Sequence, residues 1–397
     1  MRALVFRHSL PREAFTKVTG AVTPRSFVGP WAPVRLEDVA EPEPPADDWV
    51  PCSTLLSGIC GSDAKQIFLN GSRDNPLTAV VSFPHVLGHE VVARRADTAE
   101  RVVVNPWLSC VPRGVADPCP ACREGRYPWC RSFAGGVLPP ALHLGNCAAA
   151  PGAHAERFWA HPAQLFAVPE DMPDDQAVLA DPAAVSLRTI LLAPPPPSAP
   201  VLVYGSGTLA LAAVGLLGCL YPDNEVWLAC HEGPAATISR RLGAAASLDS
   251  DPDRLVDAVA ARVGAAPLRP WSGRPWLQDG PAVVYDTVGS PETVETSMRL
   301  LATGGTLVVS GVEPPKRFEW TPMYFKELRV IGSNAFGIEE VDGVRRHAIE
   351  HYFHLAGRGL DLSPLVTHRF PLERWRQAVL TIADRRRTGA VKVLLQP

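Results

Sequence analysis

Four apolar residues, Val201 to Tyr204, run into the turn Gly205-Ser206-Gly207-Thr208-Leu209-Ala210, and an apolar run from Leu209 to Leu220 follows. Strand, glycine turn and helix in that order open a βαβ unit, so this junction constrains the fold more than any other stretch. The first glycine makes the turn, the second lets a pyrophosphate approach the backbone, and the helix N-terminus attracts the anion. Ala210 takes the third glycine position, a permitted variant. Gly205, Gly207, Thr208 and Leu209 are therefore the candidate cofactor contacts. A bland turn uses the same glycines, but the flanking strand and helix favour the dinucleotide reading.

Strand and helix candidates alternate after the junction: Val226 to Cys230, Ile238 to Leu242, Val283 to Asp286, Val294 to Leu301 and Thr306 to Ser310. Alternation of this kind predicts a parallel sheet covered on both faces. Before it, Asp174 to Leu192 carries helical spacing and Pro194 to Pro197 stops it. Upstream of Pro173, strand-like runs at Ala3 to Phe6, Leu55 to Ser57, Val86 to Val92 and Arg101 to Asn105 read as a β-rich half without a long amphipathic helix. Helices are expected around Arg345 to Ala356 and Leu372 to Asp384, and a last strand at Val391 to Leu395. With 397 residues, two domains are the natural expectation.

The acidic residue expected after the second strand, to hold ribose hydroxyls, is missing, and His231 stands there with Glu232 next. A neutral group does not repel a 2′-phosphate, yet no arginine follows at once. Arg240 and Arg241 lie farther along, on what reads as a solvated helix face. NAD versus NADP stays open, with a lean to NADP.

A net charge of −3 offers no basic field for nucleic acid, and the longest apolar run is too short for a bilayer span. Met1 to Phe6 leads into charged and polar residues and not into a secretory leader, so a cytoplasmic location is expected. Nine cysteines in a reducing compartment point to metal or catalysis and away from disulfides. Cys110, Cys119, Cys122 and Cys130 crowd into one proline-rich loop, which suits a closed tetrahedral zinc site with no position left for substrate. Cys60, in Gly58-Ile59-Cys60-Gly61-Ser62-Asp63, and His89, in Gly88-His89-Glu90, offer a thiol and an imidazole from two loop edges, two ligands of the kind a catalytic zinc uses. Each also has a plain structural reading, as a small core residue and a satisfied histidine.

In this order, the Cys60 and His89 motifs, the four-cysteine lobe and the glycine turn resemble the zinc-dependent medium-chain alcohol dehydrogenase family, especially its polyol and threonine dehydrogenase-like branch. Asp286-Thr287-Val288-Gly289-Ser290, Phe325-Lys326-Glu327-Leu328 and Gly389-Ala390-Val391-Lys392-Val393 agree with it. The resemblance implies an α/β architecture: a β-rich GroES-like catalytic domain over 1–190, with the structural zinc lobe at 106–131, a Rossmann doubly wound parallel-sheet cofactor domain over 191–333, and a return to the catalytic domain over 334–397. It implies two zinc ions per chain, the catalytic one held by Cys60, His89 and Asp181 of the Asp181-Pro182 pair, with Glu90 a neighbour able to enter the shell. Ser62 would take the substrate proton, Lys65 would pass it towards solvent, and Lys392 would lie near the cofactor pyrophosphate. The N-terminal region, the longer interval after Cys110 and the segment from Phe133 to Cys147, with His143, depart from the family pattern. The implied activity is hydride transfer between NAD(P) and a secondary or polyfunctional alcohol or ketone, by a homodimer or homotetramer joined through the cofactor domain. Two alternatives stand beside it: a zinc-independent reductase of an activated C=C or C=N bond, and a non-catalytic NAD(P)-binding protein.

Overall fold

The computed structural model describes residues 1–72 and 74–397, which form two compact units. The first comprises Met1–Asp181, Glu340–Phe353 and Val366–Pro397, and the second Pro182–Glu339 and His354–Leu365. The chain therefore changes unit at Asp181, inside the helix Ala180–Leu191, and a short C-terminal stretch rejoins the second unit.

A seven-stranded sheet organises the first unit. Its strands run in the order Val366–Pro371, Lys392–Gln396, Val50–Gly58, Glu90–Arg95, Arg101–Val104 and Leu165–Ala167, with Arg157–Ala160 also paired to Val50–Gly58. Val102, Val103 and Val104 are all buried, so this strand is covered on both faces. Each such valine contributes about 1.5–3 kcal/mol relative to exposure. The register sets Gly58 opposite Glu90 on one side and Leu394 on the other, which brings three distant segments to one point.

The second unit is a six-stranded sheet, all parallel, in the order Ala246–Leu248, Val226–Ala229, Val201–Tyr204, Val283–Asp286, Thr306–Val309 and Arg329–Gly332. Its first strand in sequence, Val201–Tyr204, lies in the middle, so the strand order reverses beside it, and ligands of such sheets bind outside the carboxyl ends at that reversal. Several covering helices begin with proline, at Pro234, Pro252 and Pro291, where the missing N–H is not needed. Ser290 and Asp251 cap two of them through the backbone N–H groups of Thr293 and Arg254, at 3.1 Å each.

Two elements differ from the sequence reading. Leu10–Gly20 is a helix in the half read as β-rich without a long amphipathic helix. Val344–His347, read as the start of a helix, is a strand paired with Ile338–Val341, and the helix begins at Ala348. The reason lies in the turn: Asp342 and Gly343 both take positive φ, at 51° and 75°, the two-residue hairpin geometry that an Asp-Gly pair favours. Among the described residues no helix is long and apolar enough to cross a membrane.

Candidate metal centres and cofactor turn

Cys60 ends the run out of Val50–Gly58 and precedes the helix Gly61–Ile67. Its backbone N–H donates to Asp63 Oδ2 at 2.9 Å, which fixes the thiol at the helix entry. His89 follows Gly88, whose φ of +96° turns the chain before the strand Glu90–Arg95. The ligand atoms of Cys60, His89 and Glu90 all lie within 4.8 Å of one another. His89 Nδ1 faces Asp63 Oδ1 at 3.6 Å, an arrangement that leaves Nε2 for a metal, with a carboxylate behind the imidazole.

The charge balance fits a cation here. Burial opposes a charged His89, but Asp63 and Cys60 outweigh it and hold the ring pKa well above its ordinary value. Burial likewise opposes ionised Asp63, and His89 and His154 outweigh it, keeping the carboxyl well below its usual range. Glu90 pairs with the Lys392 ammonium, both side chains 2% exposed, and Lys392 also donates to the Ile59 carbonyl at 3.4 Å. Gly58 makes room for this pair, since a Cβ there would meet Glu90 Oε2 at 2.4 Å. Lys392, which the resemblance puts near the pyrophosphate, is thus paired with the carboxylate beside His89.

Asp181 is buried, but its carboxylate is not in the 4.8 Å cluster. Burial pushes its pKa up to about 7, opposed by His89 and Lys392 and reinforced by Glu90 and Asp63, so it senses the cluster electrostatically. Ser62 and Lys65 sit three residues apart on the helix that Cys60 precedes, both half-buried. His143 packs its ring on His89, centroids 4.6 Å apart, with its Nδ1 against the Leu144 carbonyl.

The four lobe cysteines also converge, their sulfurs within 4.8 Å of one another. Cys110 and Cys130 Sγ are 3.6 Å apart. Tetrahedral zinc with Zn–S near 2.3 Å sets its sulfurs roughly 3.8 Å apart, so the spacing fits. Burial opposes ionisation of Cys119, but backbone N–H groups and neighbouring thiols hold it down to about 6, whereas burial pushes Cys122 and Cys130 up. One thiolate is accommodated alone; four need a dication among them. The long Cys110-to-Cys119 interval carries Arg113, fully buried, whose guanidinium donates to the carbonyls of Leu108, Gly135, Leu138, Pro139 and Ala141. The departure in spacing at Cys110 is therefore a built loop, and Arg113 binds it to the segment leading to His143.

In the second unit, Gly205 has φ +135°, and a Cβ there would meet Thr287 Oγ1 at 2.3 Å. Gly207 caps the helix Thr208–Leu220, and a Cβ there meets nothing within 4 Å, which is the open cradle a phosphate needs. Thr208 and Leu209 follow in the first turn, half-buried. His231 is largely exposed, 3.2 Å from Ser250 Oγ and 3.8 Å from Asp249. Asp249 pairs with Arg254 at 3.0 Å. Sequence reading passed over Asp249, Arg254, Asp63 and His154; only Asp63, three residues after Cys60, carried a local signal.

Residues 46–170 match the alcohol dehydrogenase GroES-like domain and residues 205–350 the zinc-binding dehydrogenase domain, together more than half of the chain. Galactitol 1-phosphate 5-dehydrogenase of Escherichia coli K12 is 26% identical, with 92% of this chain and 97% of that protein covered. L-threonine 3-dehydrogenase of Saccharopolyspora erythraea is 27% identical, with 88% and 92% covered. The alcohol dehydrogenase of the archaeon Aeropyrum pernix shares the fold at a TM-score of 0.74, with 20% identity and full coverage of both chains. A GroES-like unit with two clusters of metal-type donors, joined in sequence to a parallel-sheet unit with a glycine turn, places the chain in the zinc-dependent medium-chain alcohol dehydrogenase family.

Proposed function

We propose that the protein is an NAD(P)-dependent alcohol dehydrogenase that interconverts a secondary or polyfunctional alcohol and its ketone. The observation that carries this reading is the pairing, in one unit, of the Cys60, His89 and Glu90 cluster with the four-thiol lobe. Names of the relatives, polyol and threonine dehydrogenases among them, favour alcohol chemistry over reduction of C=C or C=N bonds and over a non-catalytic role.

Cys60 and His89 would hold the catalytic zinc, with Glu90 already in their cluster and able to enter the shell, and Asp181, outside the cluster, closing in as third ligand. Cys110, Cys119, Cys122 and Cys130 would hold the structural ion. Zinc at the first site supplies a Lewis acid for the substrate oxygen, and the nicotinamide supplies the hydride chemistry. The Ser62 hydroxyl would take the substrate proton as it gives up its own, which Lys65 or water would receive. Gly205, Gly207, Thr208 and Leu209 receive the pyrophosphate. The second strand ends in His231 and not in a carboxylate, and the nearby Asp249 is paired with Arg254, so we favour NADP.

Arg329–Gly332 is an edge of the parallel sheet, and Val330, Tyr324 and Phe325 around it are exposed. An open apolar edge of this kind suits pairing with a second copy, and we assign the homo-oligomer to it. The reduced thiols fit a cytoplasmic enzyme.

Elemental analysis of purified protein before and after mild chelation tests the central claim. Two zinc ions per chain, one readily removed together with alcohol oxidation, are expected. A single zinc that resists chelation would leave the Cys60 site without its metal and overturn the reading.

A further inference from the structure

Behind His89 the structure holds a second imidazole that the mechanism above does not use. His154 is fully buried, as are Ser57 and Asp63. Its Nδ1 lies 2.7 Å from Ser57 Oγ and its Nε2 lies 3.6 Å from Asp63 Oδ2. Asp63 Oδ1 stands at the same 3.6 Å from His89 Nδ1. Both ring nitrogens, His89 Nδ1 and His154 Nε2, are buried without a hydrogen-bond partner. One carboxylate is thus centred between two imidazoles, each a few tenths of an ångström beyond bonding reach.

The tautomer of His154 follows from its neighbours. A lone pair on Nε2 would face the Asp63 carboxylate and be repelled, so the proton belongs on Nε2. Nδ1 is then the acceptor, and the Ser57 hydroxyl donates to it. The backbone is built around this ring: at Gly88, next to His89, a Cβ would meet His154 Nδ1 at 2.4 Å. The Cys60 and Gly88 N–H groups hold the same carboxylate, at 2.9 and 3.4 Å.

We infer that His154 is a positioning residue for the catalytic metal site: through Ser57 it presents an N–H to Asp63, and the carboxylate so held orients His89. The inference rests on the proposed zinc role of Cys60 and His89. Outer partners of this kind set the orientation of a ligating histidine, and their loss weakens metal binding by about 10- to 100-fold.

The test uses the full-length zinc-loaded chain and reads the zinc dissociation constant of the chelator-accessible site, with the cobalt(II) absorption spectrum of the exchanged site as a second readout. His154→Phe is expected to weaken that site about 10- to 100-fold while the chelation-resistant zinc stays. His154→Gln, whose amide can donate to Asp63, is expected to recover most of the loss and to restore the cobalt spectrum. Should His154→Phe not fold, Ser57→Ala carries the test, because it frees the ring tautomer without removing the ring; it is expected to shift affinity in the same direction. Wild-type affinity in Ser57→Ala together with His154→Gln no better than His154→Phe overturns the inference. A wild-type chain with two zincs and an indifferent His154 overturns this inference alone, whereas a wild-type chain with one overturns it together with the functional reading.

Discussion

The Lys392 ammonium ends on the Glu90 carboxylate, an ion pair 2% exposed on each side that joins the last strand to the residue after His89. Gly58 between them makes the contact possible. Removing one partner of a buried pair strands the other charge and costs about 3–5 kcal/mol, more than the intact pair itself contributes. Lys392→Met should therefore lower the unfolding free energy of the zinc-loaded protein by that amount in urea titration, and adding Glu90→Gln should return most of it. A loss below about 1 kcal/mol, joined to a raised KM for the cofactor, would mean that Lys392 serves the pyrophosphate and not Glu90.

Arg113 has no carboxylate partner in its five hydrogen bonds, all of which end on backbone carbonyls. Those carbonyls belong to Leu108 and to residues 135–141, so the guanidinium is the frame of the loop between the lobe and His143. Arg113→Met leaves the acceptors buried and unpaired, at about 1–3 kcal/mol for each that water does not reach. Lysine cannot replace the fork, since its three donors radiate from one point. Both variants should release the lobe zinc to a chelator far faster than wild type. Equal release rates would show that the cysteines hold the loop unaided.

His347 is buried against Phe166, ring centroids 4.2 Å apart, with Nε2 3.3 Å from the Asn105 amide. Burial pushes its pKa down to about 3, and His351 adds to the effect. A folded-state pKa below the unfolded value of 6.5 means that the unfolded chain binds the extra proton in the window between them. The stability this residue contributes is complete above pH 6.5 and is lost as pH falls towards 3. His347→Gln should flatten that slope. Urea titrations at pH 7 and pH 4.5, compared as variant minus wild type so that metal loss cancels, check it; parallel slopes would refute the buried neutral ring.

What was legible in the sequence was what is local in the chain. The glycine turn and the lobe cysteines lie within short intervals, and the four lobe sulfurs lie within 4.8 Å of one another. Asp342-Gly343 was equally local and equally readable as a hairpin, but the polar residues after it obscured the strand Val344–His347. Asp63, His154 and the Glu90–Lys392 pair come from segments up to 302 residues apart, and only sheet register brings them together. No periodicity signals that a buried histidine will face the carboxylate behind another one.

The two glycines of the cofactor turn separate folding from binding. Gly205 is in the left-handed region at φ +135° and its missing Cβ makes room for Thr287, so Gly205→Ala should destabilise the second unit by about 1–3 kcal/mol. Gly207 has φ −90° and ψ −177°, ordinary extended backbone, with empty space where a Cβ would stand. Gly207→Ala should therefore fold with a stability within about 0.5 kcal/mol of wild type. Its methyl group, however, occupies the place where pyrophosphate approaches the helix N-terminus, and the cofactor KM should rise by about tenfold or more, which corresponds to 1.4 kcal/mol or above. Thermal unfolding and cofactor titration of the two variants read the two effects independently. If Gly207→Ala binds NADP and NAD as wild type does, the phosphates do not sit on this turn, and the assignment of Gly205, Gly207, Thr208 and Leu209 falls with it.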